Sequence, residues 1–193
     1  TTVLPGCTAG SDGNPGTYQR PLATLEQAVS LCFNNTGDII VVKPGHAETY
    51  TAAAGLVLSK AGVAIVGLGA GSNRPTITLS TVSTASITVT ASNIAIQNFL
   101  FTSTVAALAT VFDNANAVVA NDFCIDMCEF KDSSTTLNIV KCFRSGTTAN
   151  QADGLTFTRN KVTSIMGTPT AATQCILSQA AQANASGQPW TKE

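Results

Sequence analysis

A chain of 193 residues is long enough for one domain with a real core, yet only 11% of it is charged against 44% hydrophobic, and its formal net charge is −1. Such a balance offers no general attraction to nucleic acid or to an anionic membrane, so neither is expected as a partner. Soluble domains carry about a quarter charged residues, so Thr, Ala, Ser and Asn must cover much of this surface. No apolar run approaches the ~20 residues of a membrane span. The opening TTVLPGCTAG has no charged n-region or apolar h-region, and no export signal is expected in the chain as given.

In chain order, a Gly/Pro turn at 11–16 (SDGNPG) leads into a predicted amphipathic helix over about 20–33. Pro21 suits a first helical turn, and Thr24 or its neighbours can cap the free amides. Leu22, Leu25, Ala28, Val29 and Cys32 recur at helical spacing and give the helix one face to bury. Asn34 to Gly37 ends it. Ile39 to Val42 follows, a β-branched run bounded by Gly37 and Pro44 that predicts a strand buried on both sides. The stretch GHAETYTAAAGLVLS reads as a looser coil in which Leu56 and Leu58 alternate.

Internal repetition carries more weight than any single strand. In the blocks Ile94–Phe101, Phe123–Phe130 and Leu155–Val162, positions one, three and eight are apolar every time. Those positions hold Ile94, Phe123 and Leu155, then Ile96, Ile125 and Phe157, then Phe101, Phe130 and Val162. The block starts lie 29 and 32 residues apart, and Val63 and Ile65 fall 31 residues before Ile94 and Ile96. A period near 30 with strands at one phase predicts successive rungs of a parallel β-solenoid. Further strands are predicted at Thr76–Leu79, Ile87–Thr90, Ala109–Phe112, Leu137–Cys142 and Cys175–Ser178. With rungs about 4.8 Å apart, the stack is roughly 20 to 25 Å tall. Glu129 and Lys161 fall at one outward position on neighbouring rungs, where a surface ion pair is expected. Leucine-rich repeats are the rival solenoid, but their Leu-x-x-Leu-x-Leu pattern and its asparagine are missing.

The segments PLATLEQAV, GDIIVVKPGHAETY and GVAIVGLG, in that order, resemble the N-terminal entry of right-handed parallel β-helix proteins of the pectate-lyase-like fold. The resemblance covers roughly the first third of the chain and concerns fold rather than activity. It implies a helix that plugs the barrel, a first coil and then a second. The expected architecture is therefore an all-β, right-handed parallel β-helix of about four to five rungs with an N-terminal capping α-helix. Residues 1–36 form the turn and cap, 37–167 the rungs, and 168–193 a C-terminal cap or an arm reaching a neighbour.

The candidate chemistry is thin. Asp122, Asp126, Glu129 and Asp132 are the best carboxylate cluster, with Arg159 nearby in the repeat frame. Asp126 should project outward, but Gln97 and Thr158 stand at its position on the adjoining rungs, so paired acid and base carboxylates are lacking. Nor do three acidic residues and an arginine share one phase, as a pectate-lyase-like calcium site requires. A calcium site from Asp122, Asp126 and backbone carbonyls is the weaker alternative. His46, the lone histidine, could be a base held by Glu48, yet its i to i+2 spacing favours a polar turn between rungs. Cys124 and Cys128 share one predicted strand and do not match zinc-ligand spacing. Most of the six cysteines read as buried thiols, with Cys7 and Cys32 the pair to watch for a bridge. Gly67–Gly71 is a turn rather than a phosphate loop, since no Lys-Ser/Thr follows it. No cofactor and no metal is expected.

Three functions from different classes follow. The low-charge solenoid and the stretch from GDIIVVKPGHAETY through LSKAGVAIVGLGAGSNRPTITL resemble β-helix proteins of tailed bacteriophages. That resemblance implies a structural virion protein, a head decoration or cement protein that is not an enzyme. Its site would be the virion, and its partners sister chains in a trimer and major capsid or other virion proteins. Tyr18, Tyr50 and Trp190 are the candidate contact residues. The alternatives are a β-helix polysaccharide lyase or glycoside hydrolase using Asp122, Asp126 and Glu129, and a non-catalytic carbohydrate-binding adhesin of a tail fibre or spike.

Overall fold

A computed structural model describes residues 6–114, 119–146, 151–164 and 174–177. Among these residues one short α-helix, α1 (Leu25–Leu31), precedes fifteen short strands, with a single 3-10 turn at Gly71–Asn73. These are β1 (Ile39–Val42), β2 (Ala47–Tyr50), β3 (Leu56–Leu58), β4 (Ala64–Gly67), β5 (Thr76–Leu79), β6 (Ile87–Val89), β7 (Ala95–Gln97) and β8 (Leu100–Ser103). The series continues with β9 (Phe112–Asn114), β10 (Cys124–Asp126), β11 (Glu129–Asp132), β12 (Lys141–Ser145), β13 (Thr156–Thr158), β14 (Lys161–Thr163) and β15 (Gln174–Leu177). Every third strand joins the same sheet, in the orders β1-β4-β7-β10-β13, β2-β5-β8-β11-β14 and β3-β6-β9-β12-β15. All pairings are parallel. The result is a parallel β-solenoid of about four turns, with five strands stacked in each of three walls.

The core follows from the period-two alternation of each strand. In the first wall Ile40, Ile65, Ile96, Ile125 and Phe157 stack in register. In the second, Ile77, Phe101, Phe130 and Val162 do so, and Phe130 lies between the rings of Phe101 at 5.1 Å and Phe157 at 5.8 Å. Phe112 crosses Phe101 and Phe123 edge-on at 5.0 and 5.3 Å, tying the third wall to the others. The 29-, 31- and 32-residue steps have a cause at the corners. Gly62, Asn93, Asp122 and Gly154 all bend with positive φ, and each amide donates to a carbonyl of the next rung or lies over such a donor. Asn, Asp and Gly tolerate that left-handed conformation best. At Gly154 any Cβ would collide with the Asp122 carboxylate.

The cap is shorter than the predicted 20–33. Thr24 is its N-cap, accepting the Gln27 amide at 3.2 Å, and the Asp12 carboxylate holds the preceding loop by accepting the Ala23 and Thr24 amides at 2.9 Å. Residues 20–23 are therefore a pinned loop rather than a first helical turn. Leu25, Val29 and Cys32 close the open end of the core. Two predicted strands are displaced. Leu108 and Val111, like Ile139, are buried corner residues, and the strands they adjoin run over Phe112–Asn114 and Lys141–Ser145 instead. Burial at a corner leaves the same apolar trace in sequence as burial on a strand. Cys124 and Cys128 do not share a strand, because Met127 bends between them with φ 52°. Cys7 and Cys32 form no bridge, and Cys32, Cys128 and Cys142 are buried. Of the proposed arm at 168–193, only β15 falls within the described residues, and Trp190 lies outside them.

Candidate functional site

The outward positions of the strands decide what chemistry the walls can do. Asp126, at the end of β10, sits in register with Gln97 and Thr158, as its place in the repeat predicts. It is far from free. Gln97 Nε2 donates to it at 2.8 Å, Thr158 Oγ1 at 3.0 Å and Arg159 Nε at 2.9 Å, and Arg159 closes a second, bidentate contact through Nη2. The Arg159 guanidinium, with Gln97 and Thr158, outweighs the desolvation and holds this carboxyl down to about 2. So weak a base, with its lone pairs taken, is a poor proton acceptor at neutral pH.

Glu129, outward on β11, faces Lys161 at 3.3 Å and Arg74 at 3.4 Å, and accepts from Thr163 Oγ1 at 3.4 Å. The expected Glu129–Lys161 pair is present, with Arg74 added from two rungs below. Asp122 does not join these two. It bends a corner at the start of β10, four residues and roughly 13 Å of extended chain from Asp126. Asp132 is buried, accepting the Ile139 amide at 2.8 Å and Ser164 Oγ at 2.9 Å. On the third wall Asp113 is paired with Arg144 of the next rung. The acidic cluster read from sequence is thus dispersed: Asp126 and Glu129 sit in separate rung-to-rung ion pairs, Asp132 accepts an amide and a hydroxyl, and Asp122 turns a corner. Among the described residues no three His, Cys, Asp or Glu side chains gather closely enough to hold a metal ion.

His46 and Glu48 do meet, contrary to the spacing argument. Glu48 is the lowest member of the inward ladder beneath Ile77, and its side chain is 12% exposed. His46 Nε2 lies 3.0 Å from one of its oxygens, and both oxygens accept the Leu25 amide at 3.1 Å, so the pair latches the cap helix to β2. The bend at Pro44–Gly45 lets the His46 ring fold back toward β2. Tyr50, two residues on, is 7% exposed and packs in the core. It cannot be a surface contact, because an inward position on β2 carries it under the cap. Burial, with the Glu48 charge beside it, pushes its phenol far up.

The N-terminal end holds what the sequence did not disclose. β1 was expected to be buried on both sides, but Ile39 and Val41 are 65% and 56% exposed. Their side chains point off the outer face of the first wall, in register with Ala64 and Val66 of β4, and no described element covers that face. Leu31 at 53% and Tyr18 at 62% border the same surface as Ile39 and Val41, and Phe33, 71% exposed, follows the helix end. Beside this patch a groove of about 720 Å³ runs between β1, α1 and the loop carrying Tyr18, Pro21 and Leu22. Lys43 braces that loop, donating to the Tyr18 carbonyl at 2.8 Å with its ammonium 4.1 Å over the Tyr18 ring.

No family model matches the chain, and no curated protein does. Among solved structures, a rhamnogalacturonan lyase shares the fold, with a TM-score of 0.53 and 18% identity over 79% of this chain. The likeness is one of fold. The chain spans about half, 49%, of that lyase's length.

Proposed function

We propose that the chain is a structural β-helix protein that acts by adhesion to other proteins, as a capsid-attached decoration of the tailed-bacteriophage kind that its sequence resembles. Its sister chains, assembled as a trimer, and a capsid lattice are its partners in this reading. The observation that carries it is the apolar N-terminal end, where Leu31, Ile39 and Val41 lie exposed along one groove, with Phe33 exposed just past the helix end, on a chain with few charges. Clustered exposed apolar surface of this kind marks contact sites rather than free surface. Outward carboxylates engaged in stitching rungs together fit the same reading. Polysaccharide cleavage, the other expectation for this fold, would have to draw on an Asp126 and a Glu129 already paired with basic side chains.

Hydroxyl-radical footprinting of the purified chain tests the face directly. Phe33 and Leu31 should be protected in the wild-type assembly and labelled when Ile39→Ser and Val41→Ser together break it, while Met127, far along the solenoid, is labelled at the same rate in both. Equal labelling of Phe33 in wild type and variant would sink the adhesive role of this end.

A further inference from the structure

β1 has an unused edge. The Ala64 amide donates to the Asp38 carbonyl and the Leu68 amide to the Val42 carbonyl, so residues 38, 40 and 42 turn their backbone toward β4. A strand residue points its N–H and C=O to the same side, and the sides alternate along the chain. Ile39 and Val41 therefore turn theirs the other way, along the margin of the groove. β1 pairs with β4 alone, and among the described residues the Val41 N–H and C=O have no hydrogen-bond partner. The seven-residue cap helix covers the core but not this edge, leaving the space between them open.

The walls of that space suit one kind of guest. Leu25, Ala28 and Leu31 form one side and Leu22 and Tyr18 another, all along the edge of the uncharged strand Ile-Ile-Val-Val. No carboxylate lines the groove, and Lys43 and His46 are its basic side chains among the described residues. Its volume falls within the range of binding clefts, about 300 to 1,000 Å³. An exposed strand edge with unmet backbone groups is a template for another strand.

We infer that this groove binds an extended segment of a partner protein, which adds to the free edge of β1 as a sixth strand of the first wall. The segment carries apolar side chains at alternate positions and an acidic residue where it passes Lys43. Main-chain hydrogen bonds to Ile39 and Val41 hold it, and the apolar walls select its side chains, the usual division of labour in strand addition. This inference rests on the adhesive reading and names the partner's chemistry at that same end.

The test is a library of fluorescein-labelled peptides about seven residues long, alternating Val, Ile or Leu with Thr and ending in Asp. Each is titrated against the full chain by fluorescence anisotropy. A binder should lose about five- to tenfold in affinity with Val41→Pro, which removes one edge donor. Circular dichroism and thermal unfolding would establish that this variant is folded. N-methylation along the peptide needs no protein variant. It should abolish binding at every second position and leave the positions between unaffected, since only alternate amides face β1.

A library without a single binder overturns the inference, as does an N-methyl scan without the two-residue period. If instead the chain's own mass rises with concentration and Val41→Pro alone prevents it, a sister chain occupies the groove and the partner assignment falls. Failure of the peptides while Phe33 remains protected on assembly would remove strand addition and leave the adhesive role standing.

Discussion

Replacing Glu48 should unlatch the cap from the solenoid. Its carboxylate serves the Leu25 amide through both oxygens, at 3.1 Å each, and His46 Nε2 at 3.0 Å, with little access to water. A hydrogen bond to a charged group contributes about 1.5–3 kcal/mol and a neutral one about 0.5–1.5 kcal/mol. Glu48→Gln keeps a carbonyl for Leu25 and loses the charge, and relief of the carboxylate's desolvation offsets part of the loss. A net cost of about 1 kcal/mol follows. Glu48→Ala removes both contacts and leaves the Leu25 amide and the imidazole without their acceptor, at about 2–4 kcal/mol. His46→Ala should cost about 1 kcal/mol, and less still in a chain that already carries Glu48→Ala. Urea unfolding gives the magnitudes, and hydrogen exchange over residues 25–31 and 39–42 shows where the structure opens. The reasoning fails if Glu48→Ala lies within about 0.5 kcal/mol of wild type. It fails equally if the loss is spread evenly with no faster exchange in the cap.

Two further outcomes follow from the walls. Asp126 has its carboxyl held at about 2, below the ordinary value of 3.8, so the stability it contributes is present above about pH 4 and is lost as the pH falls toward about 2. The gap in urea midpoint between wild type and Asp126→Asn should therefore narrow across that window; a gap independent of pH would contradict the assigned Arg159 contact. Phe130→Ala should cost about 3–5 kcal/mol, since a ring stacked between Phe101 and Phe157 leaves a cavity that neighbouring rungs cannot close. A cost near 1 kcal/mol would mean that the rungs slide together.

The repeats were legible because a solenoid writes its geometry into the chain at a fixed period. The register of Ile96 with Ile125 and Phe157, and of Glu129 with Lys161, could be read by counting. Positions where periodicity stops were opaque. Nothing local in Ile-Ile-Val-Val distinguishes a strand covered on both faces from a solenoid strand whose outer face is uncovered. The rung repeat was the available signal, since it puts Ile39 and Val41 at the outward positions of the first wall, in register with Ala64 and Val66. His46 and Glu48 were misjudged for a related reason, since strand spacing says nothing about a side chain that folds back from a Pro-Gly bend. Asp126 was placed correctly by alternation, but its arginine lies past the strand end, at a left-handed bend where alternation no longer applies.

If the apolar N-terminal end meets other chains, light scattering of the purified protein at low and high concentration should register it. The expected mass is that of a trimer that persists on dilution and falls to that of one chain when Phe33→Ser and Ile39→Ser are combined. A single-chain mass at every concentration, joined by polysaccharide cleavage that Asp126→Asn abolishes, would contradict the adhesive role.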